Sequence, residues 1–277
     1  MKRIGMVVKR GEERAKELGE QLHHVLKDMG KELLLEPEAK ELADKWGASI
    51  AGHMGDEADL LIVLGGDGTI LRAASLLNDK TIPVLGVNLG RVGFMAEISP
   101  EEAAKELQAA IEGTAEFVSR MLLQVTLPGG QTARVLNDVV LHWGGIARLI
   151  DFGIKMGDSR RIECRADGLI LSTPIGSSAY SYAANGPLVH PELEAILMTP
   201  ICPYSGLKRP LLIPAHEETE INLIRGEGLT LTLDGRSTVS MVAGQCIRII
   251  RAPFPFVMVK SRARDYFDVL KEKLGLL

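Results

Sequence analysis

Leu60-Leu61-Ile62-Val63-Leu64-Gly65-Gly66-Asp67-Gly68-Thr69 is the stretch that decides the fold. Five consecutive aliphatic residues stop at a glycine pair, and Ile70, Leu71, Ala74 and Leu77 then recur at helical spacing. An apolar run this short, rich in branched residues and bounded by glycine, reads as a strand of a parallel sheet buried on both faces. The glycines then lie at the carboxyl end of that strand and open a helix. Open α/β sheets bind their ligands at such places.

The residue types fit phosphate chemistry. Glycine lets a ligand approach the main chain, and a helix N-terminus offers unpaired N–H groups and a favourable dipole to an anion. No Lys-Ser/Thr pair follows the glycines, so the loop is not a Walker A loop, and its spacing is not G-x-G-x-x-G. It holds a carboxylate, Asp67, among amides suited to phosphate. A carboxylate there can accept a proton from a hydroxyl that attacks phosphorus, or hold a metal ion. The plainer alternative is a tight Gly-Asp-Gly turn.

Composition sets outer bounds. The 277 residues are 46% hydrophobic and 25% charged, enough apolar material for one large domain or two ordinary ones. Aromatics are only 4%, so aliphatic side chains must fill the core. The net charge of −4, without a dense Lys/Arg block, argues against a nucleic-acid partner. Cys164, Cys202 and Cys246 lie far apart with no C-x-x-C, which suits a reducing compartment. Ile4 to Val8, followed by Lys9-Arg10, is too short for a signal-peptide apolar region, and no stretch is long enough to span a membrane. We therefore expect a cytoplasmic protein with no membrane partner.

The texture of the chain changes near residue 115. Before it, apolar runs at Ile4–Val8, Leu33–Leu35, Leu60–Leu64 and Ile82–Val87 alternate with helical patterns, one of them starting at Ser99-Pro100-Glu101-Glu102 with the signature of a capping box. This alternation predicts a parallel sheet covered by helices. After it, short β-rich runs divided by Gly, Pro and Asp predict an all-β unit. The expected division is an α/β domain over 1–115, a β-rich domain over 116–255, and a closing segment, 256–277, that packs back on the first.

Two further clusters carry chemistry. Asp167-Gly168 leads through an apolar run to Ser172-Thr173-Pro174-Ile175-Gly176-Ser177-Ser178-Ala179-Tyr180. Its amides and hydroxyls suit sugar or phosphate oxygens and Tyr180 suits a flat ring; the alternative is a serine-rich turn with Tyr180 in the core. Asn137-Asp138 is a polar pair inside an apolar run, costly unless hydrogen-bonded. It reads as a bulge or turn, or as a hook for ribose hydroxyls and amides. His53, His142, His190 and His216 read as surface, turn or internally satisfied residues, and Trp143 as packing.

Taken together, these pieces resemble the NAD kinases. Gly65 to Thr69 is similar to that family's glycine-rich catalytic motif, and Asn88-Leu89-Gly90 with Gly93-Phe94 to its next loop. Asn137-Asp138 matches its Asn-acidic pair, Asp167 to Tyr180 its long block, Pro200-Ile201-Cys202-Pro203 with Arg209-Pro210-Leu211 its Pro-Ile-Cys-Pro segment, and Asp234-Gly235 its late turn. Ile175 departs from the Thr or Ser usual there, and Asp138 stands where many members carry Glu. The resemblance implies a Rossmann-like N-terminal α/β domain, a β-rich C-terminal domain and a site between them. It implies transfer of the ATP γ-phosphate to the 2′-hydroxyl of the adenosine ribose of NAD.

In that reading Asp67 is the catalytic residue. NAD is bound by Asp67, Gly68, Phe94, Asn137, Asp138, Asp167, Ser178, Ala179 and Tyr180. Gly65, Gly66, Gly68 and Thr69 meet the ATP phosphates. Mg²⁺ or another divalent cation accompanies ATP, and the enzyme is a homodimer or homotetramer whose neighbouring subunits complete the site. The alternatives are a lipid or sugar kinase with the same glycine loop, and a non-catalytic NAD(H)-binding sensor.

Overall fold

The computed structural model describes residues 1–77, 80–90, 93–144, 149–226 and 228–275. The chain forms two compact units, Met1–Ser119 together with Phe256–Leu277, and Arg120–Pro255.

The first unit is built on a seven-stranded sheet. Its order is Ser49–Ile50, Glu32–Leu35, Arg3–Val8, Leu60–Leu64, Val84–Val87, Phe256–Val259, Phe117–Arg120. Leu60–Leu64 pairs in parallel with Arg3–Val8 on one side and Val84–Val87 on the other. All five of its residues are fully buried, as an uninterrupted aliphatic run requires. Leu60, Ile62 and Leu64 pack with Leu18, Leu22 and Leu26 of the helix Glu13–Asp28. Leu61 faces the other way, towards Met54 and Ala58. From Arg3–Val8 the chain first adds Glu32–Leu35 on one side and then crosses to Leu60–Leu64 on the other. The carboxyl ends of these neighbours form the topological switch point, and Gly65-Gly66 sits there. The helix Pro100–Glu112 begins with the expected capping box, in which the Glu102 carboxylate accepts from the Ser99 N–H at 2.9 Å.

The second unit stacks two six-stranded antiparallel sheets. One runs Leu211–Pro214, Ala195–Ile201, Gly168–Ser172, Asp138–Trp143, Leu229–Leu233, Ser237–Met241; the other runs Ile162–Ala166, Ile150–Met156, Thr219–Arg225, Cys246–Arg251, Leu123–Thr126, Thr132–Val135. Alternate residues from both, among them Val139, Leu141, Leu169, Leu171, Phe152 and Ile154, fill the space between. The strand Ala195–Ile201 escapes the sequence reading because Pro200 interrupts it, a residue that usually argues against a central strand. Here Pro200 stands opposite Leu169 in the ladder. Among the described residues no helix is long and apolar enough to cross a membrane.

Candidate active site

In the first unit the site begins at Asp67, the first residue of the helix Asp67–Leu76. Asp67 Oδ2 accepts from the Phe94 N–H at 3.0 Å, and Oδ1 accepts from Met95 and Ala96 at 3.1 and 3.2 Å. A carboxylate offers about four lone-pair positions, so this arrangement leaves one, on Oδ2. The loop that supplies the amides is itself pinned. Asn88, buried, accepts from the Gly90 N–H at 2.9 Å and donates to Ala96 O at 3.2 Å. Gly93 has to be glycine, because a Cβ there would stand 2.1 Å from Asp67 Oδ1. Asn88, Gly93 and the amides of 94–96 thus shape the receptacle for the Asp67 carboxylate.

The three glycines of the loop differ. A Cβ at Gly65 would stand 2.3 Å from Thr69 Oγ1, so Gly65 makes room for the buried Thr69. At Gly66 and Gly68 a Cβ would meet nothing within 4 Å, and the open space lies beside the helix N-terminus. Internal packing requires the first glycine, and an approaching ligand has access at the other two.

In the second unit a cavity of about 610 Å³ is lined by Asn137, Asp138, Asp167, Ala179 and Tyr180 from the sequence reading. Such a volume suits a small organic ligand. Val140, His142, Trp143, Ile201, Thr232, Asp234 and Gly235 complete the lining. Ser178 is outside it, half-buried, with its hydroxyl donating to Ile175 O at 2.9 Å. Tyr180 is 48% exposed, so the alternative that buried it in the core fails.

Asp234 organises this cavity. It holds φ of +51°, unusual for a residue other than glycine. Its Oδ2 accepts from the Leu136 N–H at 2.9 Å, and Oδ1 accepts from Asn137 and Asp138 at 2.7 and 3.2 Å. On the carbonyl side, Thr173 Oγ1 donates to Leu136 O at 2.6 Å and the Thr173 N–H donates to Asn137 O at 2.9 Å. The main chain of Leu136 to Asp138 is therefore fixed from two directions, and the Asn137 and Asp138 side chains line the cavity. Burial first, and the Asp234 charge second, push the Asp138 carboxyl up to about 7. Asp234 is also raised by burial, against the opposing effect of its three amide donors.

His142 lines the cavity and is internally satisfied, one of the readings its sequence allowed. Its Nδ1 lies 2.9 Å from Trp143 O, so this nitrogen carries the proton, and Nε2 lies 2.9 Å from Thr232 Oγ1. The signal for its place in the lining was period-two alternation: Val139 and Leu141 enter the core, so Asp138, Val140 and His142 share the opposite face.

Both halves match family models. Residues 4–115 match the ATP-NAD kinase N-terminal domain and residues 136–261 the ATP-NAD kinase C-terminal domain. The chain belongs to the ATP-NAD kinase family. A NAD kinase of Geotalea daltonii is 39% identical over 280 residues, covering 99% of this chain and 98% of its own length. A NAD kinase of Syntrophotalea carbinolica is 35% identical over 281 residues, 99% of both chains. Among solved structures, yeast NADH kinase complexed with NADH superposes with a TM-score of 0.92 at 27% identity, covering 100% of this chain and 88% of its own. A NAD kinase from Archaeoglobus fulgidus in complex with ATP gives 0.76 at 25% identity, covering 99% and 98%. Membership of the ATP-NAD kinase family removes the lipid or sugar kinase reading. It also weighs against a non-catalytic sensor, because the family is enzymatic and Asp67 is present.

Proposed function

We propose that this chain transfers the γ-phosphoryl group of ATP to the 2′-hydroxyl of the adenosine ribose of NAD, giving NADP and ADP. The observation that carries this reading is the Asp67 carboxylate at the switch point of the sheet, held by three amides with one lone-pair position left. That position accepts the hydroxyl proton as O2′ bonds to the γ-phosphorus and the bond to the bridging oxygen of ADP breaks. The open space at Gly66 and Gly68 lets phosphate oxygens reach the main chain at the helix N-terminus. Gly65 and Thr69 shape that loop, and Phe94, next to Asp67, borders the nucleotide.

The cavity of the second unit receives the dinucleotide in this reading. Asn137 and Asp138 hold the adenosine portion, Asp167 the nicotinamide end, and Ala179 and Tyr180 the walls, with Ser178 behind them. Support for both substrates comes from the relatives' complexes, one with NADH and one with ATP. Among the described residues no group of three or more His, Cys, Asp or Glu converges to hold a metal. Mg²⁺ or another divalent cation would come with ATP, taking most of its ligands from phosphate oxygens and water, which needs no such cluster. Bound there, it neutralises charge on the group in transfer. We place the enzyme in the cytoplasm as a homodimer or homotetramer.

The test is direct. The purified chain, given ATP, Mg²⁺ and NAD, forms NADP, and sedimentation in the same buffer reads its assembly state. Binding of both nucleotides without product returns the sensor reading.

A further inference from the structure

Neither the glycine motif nor the cavity uses the most deeply buried ion pair among the described residues of the first unit. Arg72 lies on the helix Asp67–Leu76, five residues beyond Asp67. Its Nη1 is 2.8 Å from Glu36 Oε1, with side-chain exposures of 13% and 4%. Its Nη2 donates to Val8 O at 2.7 Å. Val8 ends the strand Arg3–Val8, and Glu36 directly follows the strand Glu32–Leu35. One guanidinium thus joins the Asp67 helix to the carboxyl ends of two neighbouring strands.

Stability alone is a poor reason for such a pair. Removing two charges from water is costly, and apolar residues of similar volume often serve a fold as well or better. What the pair supplies is geometry. Beyond the loop, where Thr69 is buried against Gly65, the buried residues of this helix, Ile70 and Ala73, make apolar contacts, which are non-directional and tolerate sliding. A planar guanidinium that donates to the Val8 carbonyl through Nη2, with the Glu36 carboxylate 2.8 Å from Nη1, does not. Asp67 lies about one and a half turns, roughly 7.5 Å, along the axis from Arg72, so any slide or rotation of the helix carries the carboxylate with it. Glu36 also faces Arg10 and Glu38, yet Arg72 is its largest charged influence.

We propose that Arg72 and Glu36 are positioning residues for phosphoryl transfer, locking the helix Asp67–Leu76 against the ends of strands Arg3–Val8 and Glu32–Leu35 and so setting where the Asp67 carboxylate stands. This rests on the kinase reading of Asp67 given above.

The test replaces the pair by an apolar one, Arg72→Met with Glu36→Leu, in the full chain. The expected result is a melting temperature close to wild type, kcat for NADP formation lower by about 10- to 100-fold, and unchanged KM for both nucleotides. Amide exchange at Phe94, Met95 and Ala96 speeds up while that of Leu60–Leu64 does not. Wild-type kcat, a loss confined to KM, or a fall in kcat with exchange at 94–96 unaltered overturns the proposal. Should the double variant not fold, Arg72→Lys keeps the charge but loses the planar fork that reaches both Val8 O and Glu36, and the same kcat loss is expected; wild-type kcat there overturns it equally. A wild-type chain that makes no NADP sinks the kinase reading itself, whereas an active wild type with an equally active variant sinks the positioning role alone.

Discussion

Each unit contains a carboxylate that accepts three main-chain hydrogen bonds: Asp67 from residues 94–96 and Asp234 from residues 136–138. The bonding is alike and the surroundings are not. Asp67 opens a helix, whose dipole favours an anion, and borders open space at two glycines. Asp234 sits in a left-handed turn inside a cavity, next to a second buried carboxyl, Asp138. There burial outweighs three amide donors, and both carboxyls titrate above their ordinary range. Amide donors fix where a carboxylate points in both places. What lies around it differs: open space at two glycines beside Asp67, and a second buried carboxyl beside Asp234 in its left-handed turn.

The largest expected effect separates the two. Asp67→Asn keeps the side chain's size but turns an amide N–H towards main-chain N–H groups, and turnover should fall about 10²- to 10⁴-fold. Near-wild-type turnover would break the distinction drawn here. Gly93→Ala acts on the same cage from outside, since its Cβ would stand 2.1 Å from Asp67 Oδ1. About 100-fold lower kcat, with modest loss of stability, is expected from steady-state kinetics and calorimetry. Gly176→Ala is its counterpart in the second unit, where the Cβ would stand 2.1 Å from Asn137 O. Main chain yields less readily than a side chain, so that variant should lose stability and NAD affinity together.

Asp234→Asn and Asn137→Ala sharpen the contrast from the other side. Each should raise the KM for NAD by about 10- to 100-fold while the KM for ATP stays nearly constant. Equal loss for both nucleotides would remove the assignment of this cavity to the dinucleotide.

The next effect is on stability. The folded Asp138 carboxyl holds its proton up to about 7, whereas the ordinary value is 3.8. Between those values the folded chain binds more protons than the unfolded one. The contribution of this group is therefore complete below 3.8 and is lost as pH rises through about 7. The melting temperature of the ligand-free protein should decline from about pH 4 to about pH 7, and Asp138→Asn should remove most of that decline. The smallest effect is a control outside both cages: Ser99→Ala breaks the capping box of Pro100–Glu112, costing about 1 kcal/mol with kcat unchanged.

Much of this was legible in one dimension. The Leu60–Leu64 run, the glycine stop and the helix behind it reported a buried parallel strand and its loop, because strand burial and helix starts leave local patterns. Asp67, Asn137 and Asp138 stood out as polar residues in costly places. The strand Ala195–Ile201 was hidden by Pro200, whose tolerance depends on a neighbouring strand. His142 and Thr232 looked ordinary, because their shared sheet face is set by pairing between strands far apart in the chain. The Ser178 hydroxyl was credited to the ligand, though the Ile175 carbonyl already takes its proton.

The amino-acid order alone determined the element types, the Gly-Asp-Gly loop at a strand's end and the family pattern, since these follow from periodicity and from what each residue type permits its own backbone. Tertiary structure decided what those residues do with one another. It placed Asp67 on the amides of 94–96, Asp234 on those of 136–138, and Arg72 on Glu36 and Val8. The reason is physical: a hydrogen bond or ion pair between distant segments exists only once packing has brought them within about 3 Å, and no local rule records that distance.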